Sequence, residues 1–400
     1  MAQRRVFTPF KLNSLSLRNR FIRSAAFEGM TQRGEPTDQL IEFHRRTAAG
    51  GVAMTTVAYA AVSASARTYD HQLSMVKPGI LKGLRRLTDA VHDEGAAASI
   101  QLGHCGYFAS PAVTGQRTIG PSRVFNTYGL TFPRPMTEDD MEAVAEDFAR
   151  AALLSREAGF DAVELHAGHG YLISQFLSPH TNRRRDRWGG SLENRYRFAS
   201  LVVRKVRAAL GAGFPILAKM NLRDGFEGGL ELDEAVEVAR LFEADGVDAL
   251  VLSGGFVSKV PMYVMRGEVP FKEFYEGQRS VTKKVGIMLM GKVLVKQFPY
   301  RDNYFLEESR AVRSAVTIPL VQVGGLRRLD DMETICADDG FELRALARPL
   351  IIEPDLVARM ERGEAEASRC EPCNKCVGVM DKGGVYCPLV EGETGRVEAS

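Results

Sequence analysis

Eight short apolar, β-branched runs recur along the chain: "RFIRSA", "VAMTTVA", "AASIQL", "DAVELH", "PILAKM", "VDALVLS", "IPLVQV" and "FELRALA". Each is too short for a buried helix and most run into turn residues, so each reads as a strand. The stretches between them carry helical periodicity. From Thr137 to Ala158, Met141, Val144, Ala145, Phe148 and Ala152 fall on one face behind a Thr137 to Asp140 capping pattern, and a similar segment starts at Asp233. Strands apolar on both faces and separated by helices belong in a parallel sheet, and eight such units predict an α/β fold closed into a (β/α)8 TIM barrel. An open doubly wound sheet is the alternative. The G-x-G-x-x-G fingerprint that would favour it is absent.

A chain of 400 residues, 45% of them hydrophobic, can bury one large core. The expected organisation is a barrel over residues 1–363 and a Cys-rich tail over 364–400 that reads as an appendage. A long insertion at about 257–303, between the sixth and seventh strands, far exceeds an ordinary connection and reads as a lid or a homo-oligomer surface. Its apolar piece "VGIMLMGKVLV" is too short and too interrupted by lysine to span a bilayer. Fifty-two Lys and Arg against 50 Asp and Glu, scattered along the chain, argue against nucleic acid as a partner. With no signal-like segment after "MAQRRVFTPF", the expectation is a soluble, cytoplasmic protein without stable membrane insertion, acting on a small molecule.

Barrel chemistry collects at the carboxyl ends of the strands, which makes Ala26, Ala58, Gln101, His104, His166, His169 and Lys219 candidates. After the last two strands, "QVGGLRR" and "ALARPLIIEPD" place the N–H groups of Gly324, Gly325, Ala347 and Arg348 where a phosphate can sit; ordinary strand-to-helix turns are the plain alternative. In "HAGHGY", His166 and His169 could begin a zinc site with Glu164, as in a barrel hydrolase, or serve as hydrogen-bond donors. In the tail, Cys370, Cys373, Cys376 and Cys387 are spaced as C-x2-C-x2-C with a fourth cysteine eleven residues on. The spacing suits a [4Fe–4S] cluster, with zinc or no metal as alternatives. Cys105, after His104, reads as a packed small hydrophobe.

Together, "NRFIRSAA", "ASIQLGHCG", "HAGHGYLISQFLSPHTNRRRDRWGGSLENRYRF", "VQVGGLRR" and "ARPLIIEPDLV" resemble, in order and spacing, the Old Yellow Enzyme family of FMN-dependent NAD(P)H oxidoreductases, over about residues 4 to 362. The cysteine pattern resembles the 2,4-dienoyl-CoA reductase and trimethylamine dehydrogenase branch, without the extra nucleotide-binding domains those relatives carry. The resemblance implies FMN across the barrel mouth, with Ser24, Ala25, Ala26 and Ala58 near its ring. Gln101 would meet the pyrimidine edge, Lys219 the N1 and O2 side, and Gly324, Gly325, Ala347 and Arg348 the phosphate. It further implies that NADH or NADPH reduces the flavin, and that hydride then passes from flavin N5 to an activated C=C bond, as in an ene-reductase. His166 and His169 would hold the substrate carbonyl and Tyr171 would protonate the α-carbon, a phenol of ordinary pKa near 10 keeping its proton at neutral pH. A flavin and iron–sulfur dehydrogenase acting on an amine, a silent flavin-binding module and a zinc hydrolase are the alternatives. One departure stands out: Phe27 occupies the position where many relatives place a threonine or cysteine, and Glu28 beside it is a candidate to enter the site.

Overall fold

The computed structural model describes residues 4–277, 284 and 295–390. All eight runs form strands: β1 Phe21–Arg23, β2 Met54–Ala61, β3 Ala97–Gly103, β4 Ala162–Ala167, β5 Ile216–Asn221, β6 Ala249–Ser253, β7 Leu320–Gln322 and β8 Leu343–Leu346. Each pairs in parallel with the next, and β8 pairs with β1, so the sheet closes into a barrel. Nearly every strand residue is buried, as expected when one face fills the barrel and the other meets helices.

The helices start where the side chains satisfy their first N–H groups. Thr137 and Asp140 form a reciprocal capping box before the helix Glu138–Glu157, and Arg134 grips the same Asp140 at 2.6 and 2.9 Å. Ser191 caps Leu192–Leu210, and Thr37 caps Asp38–Ala49. The segment expected from Asp233 spans Leu232–Ala244.

Strand β2 departs from simple alternation. Its register with β3 jumps between Val57 and Ala60, a bulge that re-aims the side chains between them. Tyr59 consequently lines the cavity at the barrel mouth, while Ala58 lies outside that lining and gives its N–H to Glu28.

The described part of the insertion folds over the mouth as short helices, Pro261–Val264 and Phe271–Gly277. Most of "VGIMLMGKVLV" lies outside the described residues. Among the described residues no helix is long and apolar enough to cross a membrane.

Residues 364–390 do not project as a free appendage. The N–H of Leu329 donates to Glu366 and that of Ser368 to Arg327, while the fully buried Glu353 carboxylate receives the Ser368 hydroxyl and the Arg369 N–H. Farther along, Glu268 donates to Pro372 and Val385 to Glu28, and Val379 and Val385 are buried. Truncation after Gly363 is therefore expected to destabilise the barrel by about 2–4 kcal/mol through exposure of the groups these valines cover, seen as a lower urea midpoint. An unchanged midpoint would show the tail to be separable.

Candidate active site

A cavity of about 560 Å³ opens at the carboxyl ends of the strands. Ser24, Ala25, Ala26, Gln101, His166, His169, Tyr171, Lys219, Gly324, Gly325, Ala347, Arg348 and Cys370 all line it. Ala58, His104, Cys373, Cys376 and Cys387 do not. His104 is held instead by Ser65 at 3.1 Å and by the Gly106 N–H at 2.9 Å. Cys105 is fully buried and its thiol is pushed up to about 12, chiefly by burial, consistent with a packed side chain.

The floor of the cavity is charged and buried. Glu164 on β4 pairs with Lys219 on β5 at 3.0 Å and accepts from the Gln101 amide on β3 at 2.5 Å. Lys219 also donates to Ser24 Oγ and Ala25 O. Burial lowers the Lys219 pKa and Glu164 partly offsets this. Glu164 is thus committed to a lysine, and the histidines are left without the third ligand a zinc site needs. Among the described residues, no three His, Cys, Asp or Glu side chains are close enough to hold one metal ion.

A second buried pair was invisible in the sequence pattern. Arg23 lines the cavity and binds Glu28 at 2.5 Å, together with the carbonyls of Thr56 and Ala26. Burial pushes the Glu28 carboxyl up, but Arg23, His44 and the Ala58 N–H hold it below the ordinary value. Glu28 lies behind Arg23 rather than in the cavity lining. Phe27 faces the cavity and packs on Tyr59, Tyr69 and His71 at 5.2–5.5 Å between ring centroids.

His166 and His169 stand with ring centroids 5.1 Å apart, and Tyr171 is 4.3 Å from His166. His166 is 3% exposed, and among the described residues its Nδ1 has no hydrogen-bond partner. Burial, His169 and Lys219 lower its pKa; burial and Lys219 bring His169 down to about 3. Both imidazoles are therefore neutral at neutral pH, each with one N–H to donate. His169 Nε2 lies 2.8 Å from Ser253 Oγ, and its backbone, left-handed at φ 58°, is pinned by the Asn221 carboxamide at 2.9 Å. Asn221 and Ser253 end β5 and β6, so the strand-end rule that selected Lys219 could have found them. Tyr171 differs from the free phenol of the sequence reading: burial raises its pKa, and its ring packs on that of Tyr59 at 4.8 Å between centroids.

At the far end of the cavity, Gly324 and Gly325 turn with φ 89° and 76° in spaces where a Cβ would strike Phe305, Tyr304 or Asn303. Arg327 and Arg348 line the same end, and among the described residues the buried Arg327 Nε has no hydrogen-bond partner. An orphaned guanidinium nitrogen beside a second arginine suits a phosphate. The small side chains at 24–26, the Gln101 amide and Lys219 suit a flavin ring, so the residues present fit FMN. Of the tail cysteines, Cys370 lines this end of the cavity; burial raises the Cys370 and Cys376 thiols and the Arg348 guanidinium offsets part of that rise. The four cysteines form no ready metal site among the described residues.

The profile of the NADH:flavin oxidoreductase / NADH oxidase family matches residues 5–286. The chain belongs to this family, that of Old Yellow Enzyme. It is 40% identical over 379 residues to the 4,4'-dithiodibutanoate disulfide reductase of Rhodococcus erythropolis, covering 94% of this chain and 93% of that one. It is 33% identical to a metal reductase of Desulforamulus reducens, covering 98% of this chain but only 54% of that one. Among solved structures, the complex of 2-naphthoyl-CoA reductase with 2-naphthoyl-CoA superposes with a TM-score of 0.83 at 23% identity, over 98% of this chain and 57% of that one. The chain thus spans about half the length of the last two and nearly all of the first.

Two outcomes are expected. Glu164→Ala, which strands the buried Lys219 ammonium, should cost about 3–5 kcal/mol, and the double change Glu164→Gln with Lys219→Met should recover most of it in urea unfolding. Acidification should also destabilise the protein. The unfolded chain protonates His104 and His169 below about pH 6.5, whereas both stay neutral in the fold down to about 3. Stability is therefore lost as pH falls through that window, by about 1.4 kcal/mol per pH unit per histidine. His104→Gln should flatten the measured slope by that amount.

Proposed function

We propose that the protein is an FMN-dependent NAD(P)H oxidoreductase that reduces an activated C=C bond of an α,β-unsaturated carbonyl compound or enoyl thioester. The observation that carries this is the unpartnered Nδ1 of the buried, neutral His166, beside His169 and Tyr171 on one cavity wall. Bound FMN would supply the two-electron reduction that NADH or NADPH replenishes. Arg327, Arg348 and the N–H groups of Gly324, Gly325 and Ala347 would hold its phosphate. Ser24, Ala25, Ala26, Gln101 and Lys219 would hold its ring. Ala58 supports that wall from behind through Glu28.

His166 and His169 then donate to the substrate carbonyl oxygen, where negative charge grows as the bond is reduced; neutral imidazoles do this without losing a proton. Tyr171 delivers its proton to the α-carbon. Its raised pKa makes it a weaker acid than a free phenol, and the Tyr59 ring packs against it at 4.8 Å between centroids. The described part of the insertion, with Phe271 and Phe274 in the cavity lining, would act as a lid that excludes water.

Disulfide reduction is a second reading, favoured by the 40% identity to a protein named for that activity. The two separate on Tyr171. A carbanion needs a proton placed at carbon, whereas a departing thiolate is stable at neutral pH. Tyr171→Phe should slow enone reduction by about 10²- to 10³-fold, and each of His166→Ala and His169→Ala by a similar factor, with flavin reduction by NAD(P)H much less affected. Stopped-flow measurement of the two half-reactions checks this, and unchanged enone turnover in the histidine variants would falsify the assignment.

The four cysteines are proposed to hold a [4Fe–4S] cluster. The C-x2-C-x2-C spacing with a fourth cysteine eleven residues on supports this reading, and binding would have to draw together thiols that form no ready metal site among the described residues. Anaerobically purified protein should contain about four iron and four acid-labile sulfide per chain; protein with neither element removes the cluster.

A further inference from the structure

Asn374 lies between Cys373 and Cys376, yet its side chain is used for something other than sulfur chemistry. It is 1% exposed and its backbone is left-handed at φ 57°. The carboxamide nitrogen donates to Met265 O at 2.7 Å and Glu268 O at 2.9 Å, both in the insertion. Its oxygen accepts from Arg348 at 2.5 Å. Both kinds of polar atom are thus satisfied, and a single amide ties together the cysteine segment, the insertion and the turn after β8. The same Arg348 nitrogen also donates to the Arg266 carbonyl at 3.4 Å. Asparagine alone meets these demands. It tolerates the left-handed backbone, offers two donors to two carbonyls, and keeps an acceptor for a cation. Aspartate would turn a negative oxygen toward one or both carbonyls, and glycine would keep only the turn.

We propose that Asn374 is a positioning residue for the flavin phosphate: it fixes the Arg348 guanidinium at the far end of the cavity, so that retention of a phosphorylated flavin depends on the cysteine segment. An arginine on a turn has four free rotors, and a fork held at one nitrogen presents its remaining donors with little left to order on binding. The proposal rests on the reading that Arg348 meets the phosphate. It adds that the arginine is competent only while the segment between Cys373 and Cys376 is docked, which makes the sulfur site and the flavin site one cooperative unit.

FMN and riboflavin differ by that phosphate alone, and their dissociation constants, measured by flavin fluorescence on full-length protein stripped of flavin, test the assignment. Loss of one hydrogen bond to a charged group predicts that Asn374→Gly weakens FMN binding about tenfold, while riboflavin binding changes by less than about twofold. In an Arg348→Ala background Asn374→Gly should add nothing further, because the residue acts through that arginine. Asn374→Asp keeps the acceptor for Arg348 and gives up the donors to Met265 and Glu268. The segment's other ties, Glu268 N–H to Pro372 O and Val385 N–H to Glu28 O, keep it docked in this variant, so the FMN preference should stay near its original value even where the melting temperature falls. Equal weakening of both flavins in Asn374→Gly, or loss of FMN preference in Asn374→Asp as large as in Asn374→Gly, would overturn the proposal. If Arg348→Ala itself leaves the FMN preference intact, the phosphate lies elsewhere and the underlying reading fails first, with the positioning role following it.

Discussion

Lys219 and Glu164 face each other across 3.0 Å inside the barrel, and nearly every placement in the cavity refers to that contact. Neither charge is tolerable there alone. The pair fixes the Gln101 amide on the neighbouring strand, and the same ammonium reaches Ser24 and the Ala25 carbonyl. Three strands and the end of a fourth are thereby keyed to one another. The cation also disfavours protonation of His166 and His169, so the wall above it presents neutral donors. Arg23 and Glu28 repeat the arrangement on the other side, so the two buried cations on the floor are each matched by a carboxylate.

Strand period and strand ends were legible because they depend on local pattern. The eight apolar runs and the capping box at Thr137 needed only neighbouring residues to be recognised, and closure into a barrel follows from their number. Gln101, His166, Lys219 and Gly324 were reachable by the further rule that strand ends carry chemistry, with the family resemblance giving them roles. Arg23 escaped because an arginine within an apolar run looks like an interruption until the buried Glu28 is seen five residues on. Tyr59 escaped because a bulge shifts alternation by one residue without leaving a mark in composition. Asn221 and Ser253 obey the strand-end rule and were simply not singled out. The docking of the tail was illegible for a different reason: it rests on contacts hundreds of residues apart, such as Val385 with Glu28.

The cavity has two chemically distinct ends. Toward β4 it is aromatic, where Tyr59 and Tyr171 pack on the His166 imidazole and Phe27 packs behind Tyr59. Toward β7 and β8 it is cationic, with Arg327 and Arg348 beside glycine turns too crowded for a side chain. A long ligand with one flat and one anionic end has only one orientation available. Phe27 lines this cavity, so under the proposed function a ring held beside it would meet hydrocarbon at that point.

One wall of the cavity comes from residues that follow all eight strands in the chain: Cys370, Pro372, Val377, Met380 and Val385. Synthesis runs from the N-terminus, and a nascent chain with its complete barrel outside the ribosome would still have an open-sided mouth. Capture of a flavin at the proposed site would then come late in the life of each molecule, and until the last turn of the tail closes that wall the newly made barrel would have to stay folded without it.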